Sequence, residues 1–219
     1  MPDPNQSGRA TLGLMEPSQT WPAVVFDIGG VLTTSEGGVP ELSRVIGVEP
    51  ERFAGPYWEY RTDYDRGTLP TEYWPLVAAE LGLTWSDEEL ERIDLFDARR
   101  WSDLAPGRTE LLTALQTGGV TTALLSNAPS SMARVVKASG WSAGFDHRIF
   151  SCDLGLIKPD AKIYQAVEDT LGRPGEQLVF FDDRPPNIEA ARERGWQAHL
   201  WTGPEACCEV LISLGLPTP

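Results

Sequence analysis

The sequence predicts an α/β protein whose core is a doubly wound parallel sheet, with a helical segment inserted into it. The first observation is a set of five apolar runs of strand length, at residues 23–28, 122–127, 148–152, 177–183 and 197–201. Apolar residues at almost every position are typical of strands buried on both faces of a parallel sheet. The second observation is that helical patterns separate these runs, and such alternation indicates a doubly wound fold.

Two of the separating segments have the pattern of amphipathic crossover helices. Residues 159–171 place Pro159 in the first turn and apolar residues at four-residue spacing on one face, and a glycine follows the last of them. Residues 186–194 are also followed by a glycine. Proline at the start and glycine just after the end are the usual boundaries of a helix. We therefore predict helices in both segments.

The third observation is one connection that is far too long for the loop between a strand and its helix. About seventy residues follow the first strand, whereas such loops typically have ~2–6. The segment contains four helical patterns separated by glycine and proline. We therefore predict a helical cap at residues 37–104, inserted into an α/β core formed by residues 21–36 and 105–219. Residues 1–20 are rich in Pro, Ser and Gly, and we expect a mobile tail there.

The composition excludes several classes of function. A formal net charge of −14 over 219 residues disfavours binding to nucleic acids and to anionic membrane surfaces. No apolar run approaches the ~18 residues of a spanning helix, and the first residues lack the pattern of a signal peptide. The three cysteines show no CxxC spacing, which predicts neither a disulfide framework nor a zinc site. We expect a cytoplasmic protein, monomeric or homodimeric, without nucleic-acid or membrane partners.

Polar side chains follow the ends of the predicted strands. They are Asp27, Ser126, Asn127, Lys158, Asp182 and Asp183. Because the carboxyl ends of parallel strands meet at one edge of a sheet, we expect these side chains to converge in the crevice where such sheets bind ligands. Three carboxylates at one point repel each other unless a cation compensates, and Mg²⁺ is a hard cation that carboxylates bind together with substrate phosphate. The pattern predicts a magnesium site with a lysine beside it.

The same residues fall in motifs that resemble those of the haloacid dehalogenase superfamily of hydrolases. The four motifs occur in chain order as FDIGGVL (26–32), LLSN (124–127), the lysine of LGLIKPDAKIY (154–164) and VFFDDRPPNIEAA (179–191). The resemblance covers nearly the whole chain after residue 20. It implies a Rossmann-like fold with a cap domain, close to the sugar-1-phosphate phosphatases and to the amino-terminal phosphatase domain of epoxide hydrolases.

The resemblance also implies a reaction. The protein would be a Mg²⁺-dependent phosphomonoester hydrolase that acts through an aspartyl-phosphate on Asp27, with a small phosphorylated metabolite, such as a sugar phosphate, as substrate. Ser126 and the main-chain amide of Asn127 would hold the transferring phosphoryl oxygens. Lys158 would neutralise them, which is the main requirement when one anion attacks another.

The resemblance implies a ligand set for Mg²⁺ as well. Asp27, the main-chain carbonyl of Gly29 and an acid of the fourth motif would bind the ion. Of the two acids there, we expect Asp183 to be the direct ligand and Asp182 to bind through a water molecule or directly. Asn187 would support them.

Gly29 departs from the pattern of family phosphatases, which usually carry an aspartate two residues after the nucleophile. That aspartate protonates the leaving oxygen, and general acids typically contribute about 10²–10⁴-fold in rate. Its absence is tolerable if the leaving group is good or if another residue substitutes, so we expect an anomeric or otherwise activated phosphate. Two alternatives stay open: a non-enzymatic binding domain on the same fold, and a 2-haloacid dehalogenase that would use Asp27 without metal.

The predicted cap contains the candidates for substrate recognition. Arg61 and Tyr64 lie in the stretch YWEYRTDYDR, which combines aromatic and charged residues as ligand pockets do. We expect both to contact the substrate. The acidic stretch at residues 86–100 is interpreted as a solvated helix face.

Overall fold

The computed structural model describes residues 21–34, 38–101 and 103–219. Within these ranges the chain forms a five-stranded sheet with the order β3-β2-β1-β4-β5, and all neighbouring strands are parallel. The strands are β1 (Ala23–Phe26), β2 (Thr122–Ser126), β3 (His147–Phe150), β4 (Leu178–Asp182) and β5 (Gln197–Leu200). The predicted doubly wound parallel sheet is confirmed. The predicted tail at residues 1–20 lies outside the described residues.

Side chains of the central strands alternate between two hydrophobic cores. On β1, Val24 and Phe26 belong to one core and Ala23 and Val25 to the other, and all four are fully buried. The alternation follows from the two-residue period of a strand. Burial on both faces explains why the strands are apolar at every position rather than at alternate positions.

In the described part of the chain, five helices lie between β1 and the next core helix. They are α1 (Gly38–Ile46), α2 (Pro50–Glu59), α3 (Arg61–Arg66), α4 (Pro70–Glu80) and α5 (Asp87–Arg100). They share a separate hydrophobic core that is rich in aromatic rings, with Tyr57, Tyr64, Tyr73 and Trp74 at its centre. Among the described residues, these helices therefore bury apolar surface chiefly against each other. We call them the cap helices.

The remaining helices flank the sheet. They are α6 (Arg108–Thr117), α7 (Ser130–Ala138), α8 (Ser151–Leu154), α9 (Ala161–Leu171), α10 (Pro185–Glu193) and α11 (Pro204–Ser213). Residues of α6, α7 and α11 contribute to one core, and residues of α9 and α10 contribute to the other. The sheet is thus covered by helices on both faces. No described helix has the length and the apolar character needed to cross a membrane.

The two connections to the cap helices run side by side. Thr33 forms an isolated antiparallel bridge with Leu104, and the main-chain N–H of Ala105 donates to the carbonyl of Leu32 at 2.9 Å. The cap helices are therefore tied to the sheet directly after β1. This position holds them over the carboxyl ends of the strands.

Several element boundaries differ from the sequence prediction by one or two residues. The run predicted as a strand over 148–152 ends at Phe150, and the next residues form α8. The helix predicted from residue 159 begins at Ala161, because residues 157–160 form a turn in which the N–H of Asp160 donates to the carbonyl of Ile157 at 2.9 Å. That turn presents Lys158 to the sheet edge.

Candidate active site

Asp27 is the acid directly after β1, and it is almost buried, with 7% of its surface exposed. The ammonium of Lys158 lies 2.8 Å from Asp27 Oδ1 and 2.6 Å from Asp182 Oδ2, and it donates to the carbonyl of Leu125 at 2.9 Å. Burial raises the pKa of Asp27 to about 7, although Lys158 opposes the rise. For Lys158 burial acts against the charge, but the two carboxylates outweigh it and raise the pKa. The lysine is therefore a permanent cation between two acids.

The side chain of Asn127 fixes the position of Lys158. Asn127 Nδ2 donates to the carbonyl of Lys158 at 2.9 Å, and the N–H of Lys158 donates to Asn127 Oδ1 at 2.8 Å. This reciprocal pair joins the end of β2 to the turn before α9. The sequence interpretation used only the main-chain amide of Asn127, and the structure adds this second role for its side chain.

Asp182 is fully buried and its carboxylate is saturated with donors. Oδ1 accepts from the N–H of Arg184 at 2.8 Å and from Asn187 Nδ2 at 2.9 Å. Oδ2 accepts from Lys158 Nζ at 2.6 Å and from Asn187 Nδ2 at 3.0 Å. Asp182 therefore holds the lysine and the start of α10 in place. Asn187 thus donates to both oxygens of Asp182.

Asp183 is exposed at the same edge, and partial burial together with Asp182 raises its pKa. Its carboxylate lies so close to Gly30 that a Cβ there would meet Oδ2 at 2.4 Å. Gly30 also has φ +75°, a conformation that residues with side chains rarely adopt. Glycine at this position therefore gives Asp183 its access to the end of β1.

Carboxylate oxygens of Asp27, Asp182 and Asp183 lie within 4.8 Å of one another. An all-oxygen donor set of this size suits a hard divalent cation such as Mg²⁺. Asp183 has a carboxylate open to such an ion, whereas the oxygens of Asp182 are already engaged by protein donors. These three acids therefore fit the Mg²⁺ ion that the sequence predicts.

Asp27 and Asp183 line a cavity of about 780 Å³ between the sheet edge and the cap helices, whereas Asp182 lies behind its wall. Of the predicted site residues, the lining includes Asp27, Gly29, Ser126, Asn127, Lys158, Asp183, Asn187 and, from the cap, Arg61. Tyr57, Trp58, Thr62 and Asp65 line the cap side as well. The volume lies in the usual range for small-molecule sites, about 300–1,000 Å³.

Arg61 is buried at the roof of this cavity and is neutralised there. Its Nε lies 2.7 Å from Asp65 Oδ1, and its Nη1 lies 3.2 Å from Asp97 Oδ2 and also donates to the hydroxyl of Tyr57. Burial opposes its charge, but Asp65, Tyr57 and Asp97 keep its pKa raised. The guanidinium is thus fixed by the protein before any ligand arrives.

Tyr64 lies outside the cavity lining. It is fully buried, its ring stacks on Tyr73 at 4.0 Å, and its hydroxyl contacts Asp94 and Ser131. An aromatic residue at helical spacing packs here into the cap core, which is its usual role. We therefore do not retain Tyr64 as a substrate contact.

The interpretation of residues 86–100 as a solvated face is wrong for two acids. Asp94 and Asp97 are 7% and 1% exposed. Asp94 accepts from Trp74 Nε1 at 3.1 Å and from Ser131 Oγ at 2.9 Å, and Asp97 accepts from Tyr57 at 2.9 Å. Each acid lies four residues after an apolar residue of the buried helix face, and this spacing was the signal available in the sequence.

Asp65 and Trp101 are among the cavity residues that sequence reasoning missed. The ring of Trp101 packs against Gly29, where a Cβ would meet it at 3.4 Å. Asp65 faces the cavity one helical turn after Arg61, which the spacing of four residues could have indicated. The long-range contact of Trp101 has no signal in the local sequence.

Known proteins are similar to this chain in sequence and in fold. Residues 21–195 match the model of the haloacid dehalogenase-like hydrolases. Phosphatase MT3486 of Mycobacterium tuberculosis is 32% identical over 190 residues, covering 81% of this chain and 86% of that protein. (S)-2-haloacid dehalogenase 1 of a Pseudomonas species is 31% identical over 184 residues, covering 80% and 81%. Bifunctional epoxide hydrolase 2 of Rattus norvegicus is 44% identical over only 54 residues, which cover 25% of this chain and 10% of that protein.

A solved structure agrees with the fold. A HAD family enzyme from Bacteroides thetaiotaomicron, in complex with magnesium and inorganic phosphate, superposes with a TM-score of 0.65 at 20% identity, covering 82% of this chain and 93% of that one. The likeness of sheet and helices extends over nearly the whole neighbour. The family match over residues 21–195 shows that the chain belongs to the haloacid dehalogenase-like hydrolases.

Proposed function

We propose that the protein is a Mg²⁺-dependent phosphomonoester hydrolase that acts through an aspartyl-phosphate on a small phosphorylated metabolite. The observation that carries the proposal is the arrangement of Asp27, Lys158 and Asp183 at the floor of one cavity. A nucleophilic acid, a buried cation and an exposed second acid are the groups that phosphoryl transfer to a carboxylate requires. The name of the phosphatase from M. tuberculosis agrees with it.

Asp27 would attack the phosphorus in line with the bond to the leaving oxygen. Lys158 would neutralise the phosphoryl oxygens, while Ser126 and the main-chain amide of Asn127 would hold them. Mg²⁺, bound by Asp27, Asp183 and the carbonyl of Gly29, would supply further neutralisation of charge between the two anions. Asp182 would act through Lys158, since its own oxygens are engaged by protein donors.

The cap side of the cavity would recognise the leaving group. Trp58 is 52% exposed beside the fixed guanidinium of Arg61, so the roof offers an aromatic surface and a polar edge. A sugar ring or another compact metabolite fits such a wall, whereas a polyanionic macromolecule is opposed by the net charge of −14. We therefore propose a small metabolite, with Arg61 as a contact that sets substrate choice.

Phosphate release from a panel of sugar, acyl, aryl and lipid phosphates tests the proposal, with Mg²⁺ and with EDTA. We expect release that requires Mg²⁺ and that falls by more than a thousandfold in Asp27→Asn, because the nucleophile is lost. Asp87→Asn, at an exposed position of the cap helices, is the matched control and should retain full activity. Circular dichroism checks that both variants fold.

Three results would contradict the proposal. Undiminished phosphate release by Asp27→Asn would remove the nucleophile from its role. Halide release from 2-chloropropionate in EDTA would instead indicate a dehalogenase, the activity named in the Pseudomonas relative. Binding of Mg²⁺ without turnover of any phosphate would indicate a binding domain.

A further inference from the structure

The position that usually carries an acid beside the nucleophile has no side chain in this protein, because it is Gly29. The nearest side chain is that of Trp101, two of whose ring atoms lie 3.4 and 3.5 Å from the place of a Cβ on Gly29. The indole N–H is buried and has no hydrogen-bond partner among the described residues. A general acid for the leaving group must therefore come from another wall of the cavity.

Three carboxylates belong to the described lining of the cavity: Asp27, Asp183 and Asp65. The proposed function uses the first as nucleophile and the second as metal ligand. Asp65 is the one that the cap helices contribute, and it approaches from the roof, opposite the nucleophile strand. This is the side on which the cap would meet a leaving group.

The main chain of Asp65 is attached to the loop that follows β2. The hydroxyl of Ser151 donates to the carbonyl of Asp65 and accepts from the N–H of Ala128 at 2.8 Å. Gly67 continues this contact, because a Cβ there would meet the carbonyl of Cys152 at 3.2 Å. The Ser151 hydroxyl thus links the main chain of Asp65 to the segment that carries Ser126 and Asn127. This link to the core holds Asp65 at the edge of the site.

The side chain of Asp65 is held at one oxygen. Arg61 Nε lies 2.7 Å from Oδ1, and 16% of the side chain is exposed. No described residue donates a hydrogen bond to Oδ2. The carboxyl group is therefore oriented by Arg61 and keeps one oxygen for a ligand in the cavity.

The groups around Asp65 act on its pKa in both directions, and the net effect is a rise. Burial raises its pKa above the ordinary value, and Arg61 on the same helix opposes the rise. Asp97 on α5 raises it further, Arg184 at the start of α10 lowers it, and the thiol of Cys152 on α8 also faces it. An acid in this environment holds its proton to higher pH than a solvated aspartate does.

We propose that Asp65 is the general acid and base of the reaction, in place of the side chain that Gly29 lacks. This inference rests on the proposed phosphatase function. In the first step Asp27 forms a bond to phosphorus, the bond from phosphorus to the leaving oxygen breaks, and the proton of Asp65 passes to that oxygen. In the second step the Asp65 carboxylate takes a proton from water, and the oxygen of that water bonds to phosphorus. The bond from phosphorus to Asp27 breaks, which restores the Asp27 carboxylate and releases inorganic phosphate.

The test compares Asp65→Asn with Asp63→Asn, an exposed acid of the same helix, over a series of phosphate esters of rising leaving-group basicity. For Asp65→Asn we expect kcat/KM to stay within a fewfold of wild type on 4-nitrophenyl phosphate, whose leaving group needs no proton. On alkyl phosphates it should fall by about 10²–10⁴-fold. The first turnover with 4-nitrophenyl phosphate should appear as a burst, because the second step lacks its base. Asp65→Glu should recover part of the lost rate on alkyl phosphates.

The pH profile gives an independent readout. The alkaline limb of kcat/KM on alkyl phosphates should be present in wild type and absent in Asp65→Asn, while thermal melting shows whether the variant remains folded. An equal loss on every ester, or no loss on any, would overturn the role of Asp65. If wild type with Mg²⁺ hydrolyses no ester at all, the phosphatase function fails; if wild type is active and Asp65→Asn behaves like wild type, only the role of Asp65 fails.

Discussion

Lys158→Met is the substitution whose effect the site geometry defines most sharply. The ammonium of Lys158 contacts Asp27 at 2.8 Å, Asp182 at 2.6 Å and the carbonyl of Leu125 at 2.9 Å, and its side chain is only 1% exposed. Methionine fills a similar volume but leaves two buried carboxylates without their cation. Breaking a buried ion pair by removing one partner costs about 3–5 kcal/mol. In a chain of this size 1 kcal/mol corresponds to ~2–4 °C in Tm, so we expect a decrease of about 6–20 °C.

The loss should depend on pH, with a sign that the carboxylates determine. Burial already raises the pKa of Asp27 to about 7 in the wild type, and without Lys158 the pKa of Asp27 must rise further. The folded variant then binds more protons than the unfolded chain, whose aspartates ionise near pH 3.9, so its stability falls as pH rises. The wild-type Asp27 also holds its proton below about pH 7, so the deficit relative to wild type should grow as pH rises through about 7.

Urea unfolding at pH 5, 6, 7 and 8 measures this, with Lys162→Met as the matched control because that lysine is exposed on α9. The control should change the free energy of unfolding by less than ~0.5 kcal/mol, as surface substitutions usually do. Saturating Mg²⁺ should recover part of the loss in Lys158→Met, since it restores positive charge beside Asp27. A deficit below ~1 kcal/mol, or one that does not change with pH, would refute the account of Lys158 as the cation that permits two acids to be buried.

Three further outcomes follow from particular contacts. Gly30→Ala should abolish the stabilisation by Mg²⁺ in a thermal shift assay, because a Cβ there meets the Asp183 carboxylate at 2.4 Å and φ is +75°; a normal shift would contradict the close approach. Asp183→Asn should reduce the same Mg²⁺-dependent shift while leaving Tm in EDTA near wild type, and an unchanged shift would remove Asp183 from the metal site. Asp94→Ala should lower the free energy of unfolding by about 3–5 kcal/mol, since three buried donors lose their acceptor. Glu91→Ala, on the exposed face of the same helix, is the control. Equal effects of the two substitutions would contradict the burial of Asp94.

The sequence alone was sufficient to predict the strands of the sheet and the polar residues at the floor of the candidate site. Strands buried on both faces are apolar throughout, so a polar residue at the end of such a run is conspicuous, and parallel strands bring these ends together whatever the intervening helices do. Asp27, Lys158, Asp182 and Asp183 were identified for this reason. Their chemistry follows from short patterns that each strand and its following turn carry locally.

Only the tertiary structure determines which cap residues line the cavity. A cap helix such as α3 has both an aromatic and a charged residue within one turn, and the helical period alone does not say which of them faces the cavity. Packing buried Tyr64 in the cap core, brought Asp65 to the cavity and placed Trp101 against Gly29. These choices depend on contacts between residues dozens of positions apart, which minimise the cost of burying polar groups in the cap as a whole. No local pattern in the sequence contains that information.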